Sequence, residues 1–281
     1  MTRFYSQRSV IGPFFALLLL WLSAMSLHAA DRDRLEAFLQ VTGFDVALDS
    51  IALAAGDAPG MLGLQASDYG DDWRRMADEV FATDRMHAMA LDILGAALSD
   101  DHLTHAAAFY ASPLGQRLVE AENASHMAED DGVKHSEGTE LVADLVTQGD
   151  ARVDVLRQLN KAVDAADTGV RAVQEIQVRF LMAASRSGIL EYEIDEPLLR
   201  QVLKDGEADL RISLQSSALA NAAYTYRDFS TEDMEAYLEA LKHPDMQQVY
   251  ELMNAVQYEI MANRFEVLAR RMAELHPGQE L

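Results

Sequence analysis

The 281-residue chain carries 46 acidic against 23 basic side chains, a formal net charge of −23 at pH 7. A field of that sign repels phosphate backbones and argues against nucleic acid as a partner, while leaving basic partners, cationic ligands and divalent ions open. An apolar fraction of 49% is enough for a sizeable core and excludes wholesale disorder, and the lack of cysteine excludes both disulfides and a thiol-linked lipid.

Residues 1–30 read as a secretory signal. Arg3 and Arg8 precede a run of 13 residues without a polar side chain, Val10 to Leu22. That run is short of the roughly 20 apolar residues a spanning helix needs. Small residues follow, with Ala29 or Ala30 before the cut. The expected location is therefore periplasmic or secreted in a bacterium, with an uncleaved, membrane-anchoring signal as the alternative. Removal of residues 1–30, which hold two arginines and no acid, leaves a net charge of −25. No later stretch is apolar enough to span a membrane.

After the signal the spacing predicts helices throughout. Residues 31–55 give two short helices joined at Gly43, with Leu35, Phe38, Leu39 and Thr42 on the first inward stripe. Residues 56–70, with Pro59, Gly60 and Gly63, read as a loop. Helices follow over 72–81 and 84–98. Ser99 to Ala124 reads as a pair of helices broken at Ser112-Pro113. Ser99 is an N-cap, Asp100 and Asp101 meet the positive end of the helix dipole, and Leu103, Ala106, Ala107 and Tyr110 form one stripe. A proline costs nothing at the first helical position, so Pro113 opens the next helix.

The pattern returns from Ser230 to Ala255, with six identities in 26 aligned positions, more than the one or two that composition would give by chance. The expectation is an all-α fold, a tandem repeat of helical hairpins forming a multi-helix bundle. The first repeat spans 31–128, a polar linker 129–138, and a longer second repeat 139–281. Within the second repeat Asp150 starts a helix, another covers 170–184, and Pro197 sits in the first turn of one that Gly206 ends. Residues 207–226 make a further helix. The last helix runs from Pro244 to Leu275, and its apolar stripe drifts round the axis as on a straight helix wrapped by several partners.

Phe109-Tyr110-Ala111-Ser112-Pro113-Leu114-Gly115-Gln116 resembles the signature of domain-of-unknown-function family 2059, and Leu39-Gln40-Val41-Thr42-Gly43 is similar to the end of that family's opening helix. The resemblance implies an exported, mostly helical bacterial protein. It carries over no catalytic residue, because the family has no assigned activity.

Few residues suggest chemistry. His102 and His105 lie three apart on one helix with Asp101 beside them, a workable divalent-metal set. The His-Glu-x-x-His arrangement of zinc proteases is missing. Glu120 and Glu251 recur at matching places and are candidate ligand-binding carboxylates, with Asn123 and Asn254 three residues on. Tyr110, Tyr224 and Tyr226 are candidates to line a groove between helices. No phosphate loop or nucleophile turn occurs, and no cofactor is expected. The function read from these features is a non-catalytic binding or scaffold module of the cell envelope, with an envelope protein or peptide as partner. The alternative is a metal-dependent hydrolase using His102 and His105. A homodimer through the exposed end of the last helix stays open.

Overall fold

The computed structural model describes residues 31–64, 71–128, 130–163, 165–190 and 192–275. The signal-like segment 1–30 and residues 65–70 lie outside the described residues. Every regular element described is helical, and no strand forms among the described residues. The all-α expectation is met.

The chain opens with α1 (Asp31–Thr42) and α2 (Phe44–Asp49), which meet at Gly43 with φ +70°. That left-handed backbone suits glycine, and a Cβ there would also lie 2.5 Å from Asn123 Oδ1. A 3-10 stretch, Ser50–Leu62, follows. The loop expected from residue 56 is therefore coiled as far as Leu62. Ile51, Ala55 and Ala58 are buried there, and the tighter helix accommodates Pro59 and the glycines while keeping those apolar side chains on the core.

Then come α3 (Asp71–Val80), α4 (Thr83–Ala97), α5 (Asp100–Tyr110), α6 (Pro113–His126), α7 (Asp131–Gln148) and α8 (Arg152–Ala162). The chain ends with α9 (Ala165–Arg186), α10 (Glu196–Asp205), α11 (Glu207–Thr225), α12 (Thr231–Leu241) and α13 (Pro244–Leu275).

Both predicted corners form. The hydroxyl of Ser99 accepts from the His102 N–H at 3.3 Å, that of Ser230 from the Asp233 N–H at 3.1 Å, and that of Ser112 from the Gly115 N–H at 3.1 Å. Pro113 and Pro244 each open a helix. The two hairpins nevertheless have different neighbours: α5 packs on α13, whereas α12 packs on α8.

Residues 131–138, read as linker from their acids and glycines, are the first turns of α7. Asp130 caps that helix by accepting from the Val133 N–H at 3.0 Å. Gly138 does not break it. It lets α7 cross α11 in contact, since a Cβ would fall 2.2 Å from the Ala220 carbonyl oxygen.

The 32 residues of α13 span about 48 Å and form the spine of the molecule. Met246, Val249, Met253, Val256 and Ile260 are buried along one stripe, and Phe265, Leu268 and Met272 continue it one step round. The drift follows the partners, because α3, α4, α5 and α9 all pack against α13. One continuous core joins α1 to α13. No single described helix is long and apolar enough to cross a membrane. The pair Asp31–Thr42 and Phe44–Gly56 would pass only together, and it is bent by 81° with most of its large apolar residues in the core.

Candidate functional site

Tyr110 ends the buried stripe of α5, and Tyr237 takes the second place on the buried stripe of α12. A buried tyrosine hydroxyl needs a partner. These two find each other at 3.3 Å, and both reach Tyr250 on α13, Tyr237 at 2.8 Å. Tyr237 also donates to Glu122 Oε1 on α6 at 3.0 Å, and Tyr226, just after α11, donates to the same oxygen at 2.7 Å. Each hydroxyl carries one proton. The pattern that satisfies them runs from Tyr110 through Tyr250 and Tyr237 to Glu122, with Tyr226 converging from the other side.

Burial pushes the Glu122 carboxyl up to about 6, against the opposing pull of the two tyrosine hydrogen bonds. Burial also raises all four tyrosines above their ordinary value, so they stay neutral. Among the described residues no cation lies within ion-pair distance of Glu122, and no donor reaches its Oε2.

Glu122 stands between two clefts. One, of about 320 Å³, opens between α6, α8 and α11 and is lined by Ser125, His126, Asn160 and Asn221. The other, of about 180 Å³, lies between the α1–α2 corner and α13, with Asn123 and Asn254 on its wall. Asn123 Oδ1 is buried there with no donor. Asn254 is engaged, giving its Nδ2 proton to the Val163 carbonyl at 2.9 Å. Lys134, at the first cleft, is held by Asp131 at 2.6 Å and the Ser125 carbonyl at 3.1 Å. His126 reaches solvent at the rim, and the crowding around it, with Lys134 next in weight, lowers its proton affinity.

The raised value of Glu122 gives a pH dependence with a definite sign. Between pH 4.5 and about 6 the folded chain keeps a proton that the unfolded chain releases. The favourable contribution is therefore complete below pH 4.5 and is lost as the pH rises through about 6. The loss is about 2 kcal/mol at most, since the residue keeps some contact with water. Glu122→Gln is expected to raise the melting temperature at pH 8 by a few degrees and to leave it unchanged at pH 4.5. An equal effect at both pH values would mean that the carboxylate is not desolvated.

The structure distributes the sequence candidates unevenly. Tyr110 and Tyr226 are in the network. Tyr224 lies outside it, its ring under the Arg227 guanidinium at 4.1 Å. Glu120 and Glu251 line neither cleft, and the carboxylate in the site is Glu122. His102 and His105 face Asp245 at 3.8 and 3.9 Å, and the His105 ring stacks on His243 at 4.1 Å. Asp101 stands beside them, outside the group that His105, His243 and Asp245 form.

Glu122, Tyr237, Tyr250, His243 and Asp245 escape the sequence reading as site residues. The one signal for the tyrosines is the presence of Tyr110 and Tyr237 on otherwise aliphatic stripes, where a hydroxyl demands a polar neighbour.

No curated protein and no solved structure gives a significant match to the chain. A family match does cover the segment from α4 to α7 and encloses the Phe109–Gln116 signature, and residues 84–144 are thereby similar to the family described as an uncharacterized protein conserved in bacteria, DUF2059.

Proposed function

We propose that this is an exported, non-catalytic binding protein of the bacterial cell envelope, whose Glu122 cleft takes a small cationic ligand. The observation that carries the reading is the uncompensated carboxylate. A desolvated carboxylate without a cation is costly, and here its only partners are neutral hydroxyls. Asn123 Oδ1, buried without a donor, and Glu122 Oε2, which no donor among the described residues reaches, are both acceptors. A fitting ligand brings donors and positive charge, as an alkylammonium does. The net charge of the chain draws such ligands in. Export rests on the signal-like run at Val10 to Leu22.

The two clefts at Glu122 lend no support to a hydrolase using His102 and His105. Neither histidine lines a cleft with Glu122, and Asp101 stands apart from the pair's carboxylate neighbour.

Calorimetric titration with a series of alkylammonium chlorides tests the reading. Saturable binding is expected in the parent and at least a tenfold loss in Glu122→Gln. Equal binding by the two proteins, or no binding by any member of the series, removes the cationic-ligand assignment. The envelope product is expected to begin near Ala30 or Asp31. A product beginning at Met1 and held in the membrane supports the anchored form.

A further inference from the structure

We infer that His105, His243 and Asp245 form a binding site for a divalent transition-metal ion of the zinc type, with His102 orienting the carboxylate. The site joins two segments far apart in sequence. α5 supplies His102 and His105, one turn apart. His243 precedes α13, and Asp245 stands in its first turn. The separations point to an ion. Asp245 Oδ2 lies 3.9 Å from His105 Nδ1 and 3.7 Å from His243 Nδ1, and Oδ1 lies 3.8 Å from His102 Nε2.

These gaps are too long for hydrogen bonds. They are close to the roughly 3.4 Å that separates two ligand atoms bound tetrahedrally at about 2.0–2.1 Å from one ion. One ligand atom from each of His105, His243 and Asp245 already lies within 4.8 Å of the others. The two imidazole–carboxylate gaps need a contraction on the order of half an ångström, and the stacked His105 and His243 rings must also turn apart, through side-chain torsions at a solvent-accessible corner, for both nitrogens to meet one ion. Metal binding costs His243 Nδ1 its long 3.3 Å hydrogen bond from the Asp245 N–H. The fourth position is open to water.

The donor set chooses the ion. Two imidazoles and one carboxylate suit zinc, nickel or copper, whereas calcium and magnesium prefer shells of oxygen. His102 then plays the outer part, holding the second carboxylate oxygen. A bound ion would tie the start of α13 to α5. The same two helices meet again at the Tyr110–Tyr250 contact further along both. The metal site is independent of what the Glu122 cleft binds.

Titration of the purified protein with zinc chloride at pH 7, followed by calorimetry and thermal melting, tests the assignment. The expected result is one zinc per chain, a raised melting temperature that a chelator reverses, and no competition from magnesium. His105→Ala and His243→Ala are each expected to weaken binding by at least tenfold, and Asp101→Asn to leave it unchanged. His102→Ala should weaken binding by less than either of those two histidine variants, as expected of a group that orients a ligand without touching the ion. A lack of saturable one-to-one zinc binding overturns the site, and so does parent-like binding by both the His105 and His243 variants. The chelator-reversible melting shift of the unsubstituted protein decides the question even if a variant fails to fold.

Discussion

Tyr110→Ala is expected to lower the stability of the protein by about 3–5 kcal/mol, the range for deleting a large buried aromatic side chain. The ring is 2% exposed, sits edge-on to Phe109 at 5.1 Å, and fills the junction of α5, α12 and α13. Truncation does more than leave a cavity. Tyr250 loses the partner that its hydroxyl shares with Tyr237, and the relay to Glu122 is cut at its far end. Tyr110→Phe separates the two effects. It keeps the packing and removes only hydrogen bonds inside a network, and should cost on the order of 1–2 kcal/mol. Leu241→Ala, at a position 1% exposed on α12, belongs with the larger losses at about 2–5 kcal/mol. His102→Ala and His105→Ala without added metal should change stability by less than about 1 kcal/mol, since both side chains are half-buried at a solvent-accessible corner and outside the core. Thermal melts of the five variants decide the matter. A Tyr110→Ala protein that melts with the histidine variants would mean that the tyrosine junction is not part of the core.

Periodicity and capping residues make most helices legible in the sequence. The end points of α13 follow from Pro244 and from a stripe that never breaks before Leu275, and the corner before α6 follows from Ser112 and Pro113. The departures share a cause. Glycine signals a break at Gly56 and Gly138 that does not occur. In the first case the chain continues as 3-10 helix, and in the second the missing side chain admits a crossing helix. Those outcomes depend on what packs alongside, which local sequence does not state.

The site is hidden for a related reason. Glu120 stands out in the sequence because its spacing matches Glu251. A residue two places along a helix points to nearly the opposite side, so Glu122 faces the clefts while Glu120 does not. Likewise the alignment of His102 with Asp233 between the two hairpins conceals the true neighbours. Asp233 binds Arg117 at 2.5 Å, and the carboxylate near His102 and His105 comes from Asp245. Contacts such as Tyr110 with Tyr250 span 140 residues, and no motif encodes them.

Gly115→Ala is the second large effect expected. The residue lies in the first turn of α6 with ordinary helical backbone, so conformational freedom is not the reason for glycine there. Space is the reason. A Cβ would stand 2.3 Å from the Phe109 carbonyl oxygen, 2.5 Å from Tyr110 Cα and 2.8 Å from the Tyr110 carbonyl oxygen. All three are main-chain atoms of α5 and cannot swing aside as a side-chain tip would. Relief requires the α5–α6 corner to open by on the order of 1 Å, since carbon atoms settle at about 3.5–4 Å. Opening it strains the Ser112 cap, which accepts from the Gly115 N–H itself, and displaces Glu122 two turns further along α6. Overpacking of this kind typically costs about 1–3 kcal/mol, and loss of a cap adds about 1 kcal/mol. The corresponding place in the second hairpin holds Met246, whose side chain is fully buried, so that corner is built around a filled position instead of a close backbone contact. Gly95→Ala is the matched control. Its Cβ would meet only a Leu35 methyl at 3.4 Å on an exposed turn of α4, where alanine favours the helix by about 1 kcal/mol. Melting curves should therefore move in opposite directions, down for Gly115→Ala and unchanged or up for Gly95→Ala. Parallel behaviour of the two would mean that the signature glycine is kept for something other than the close approach of α6 to α5.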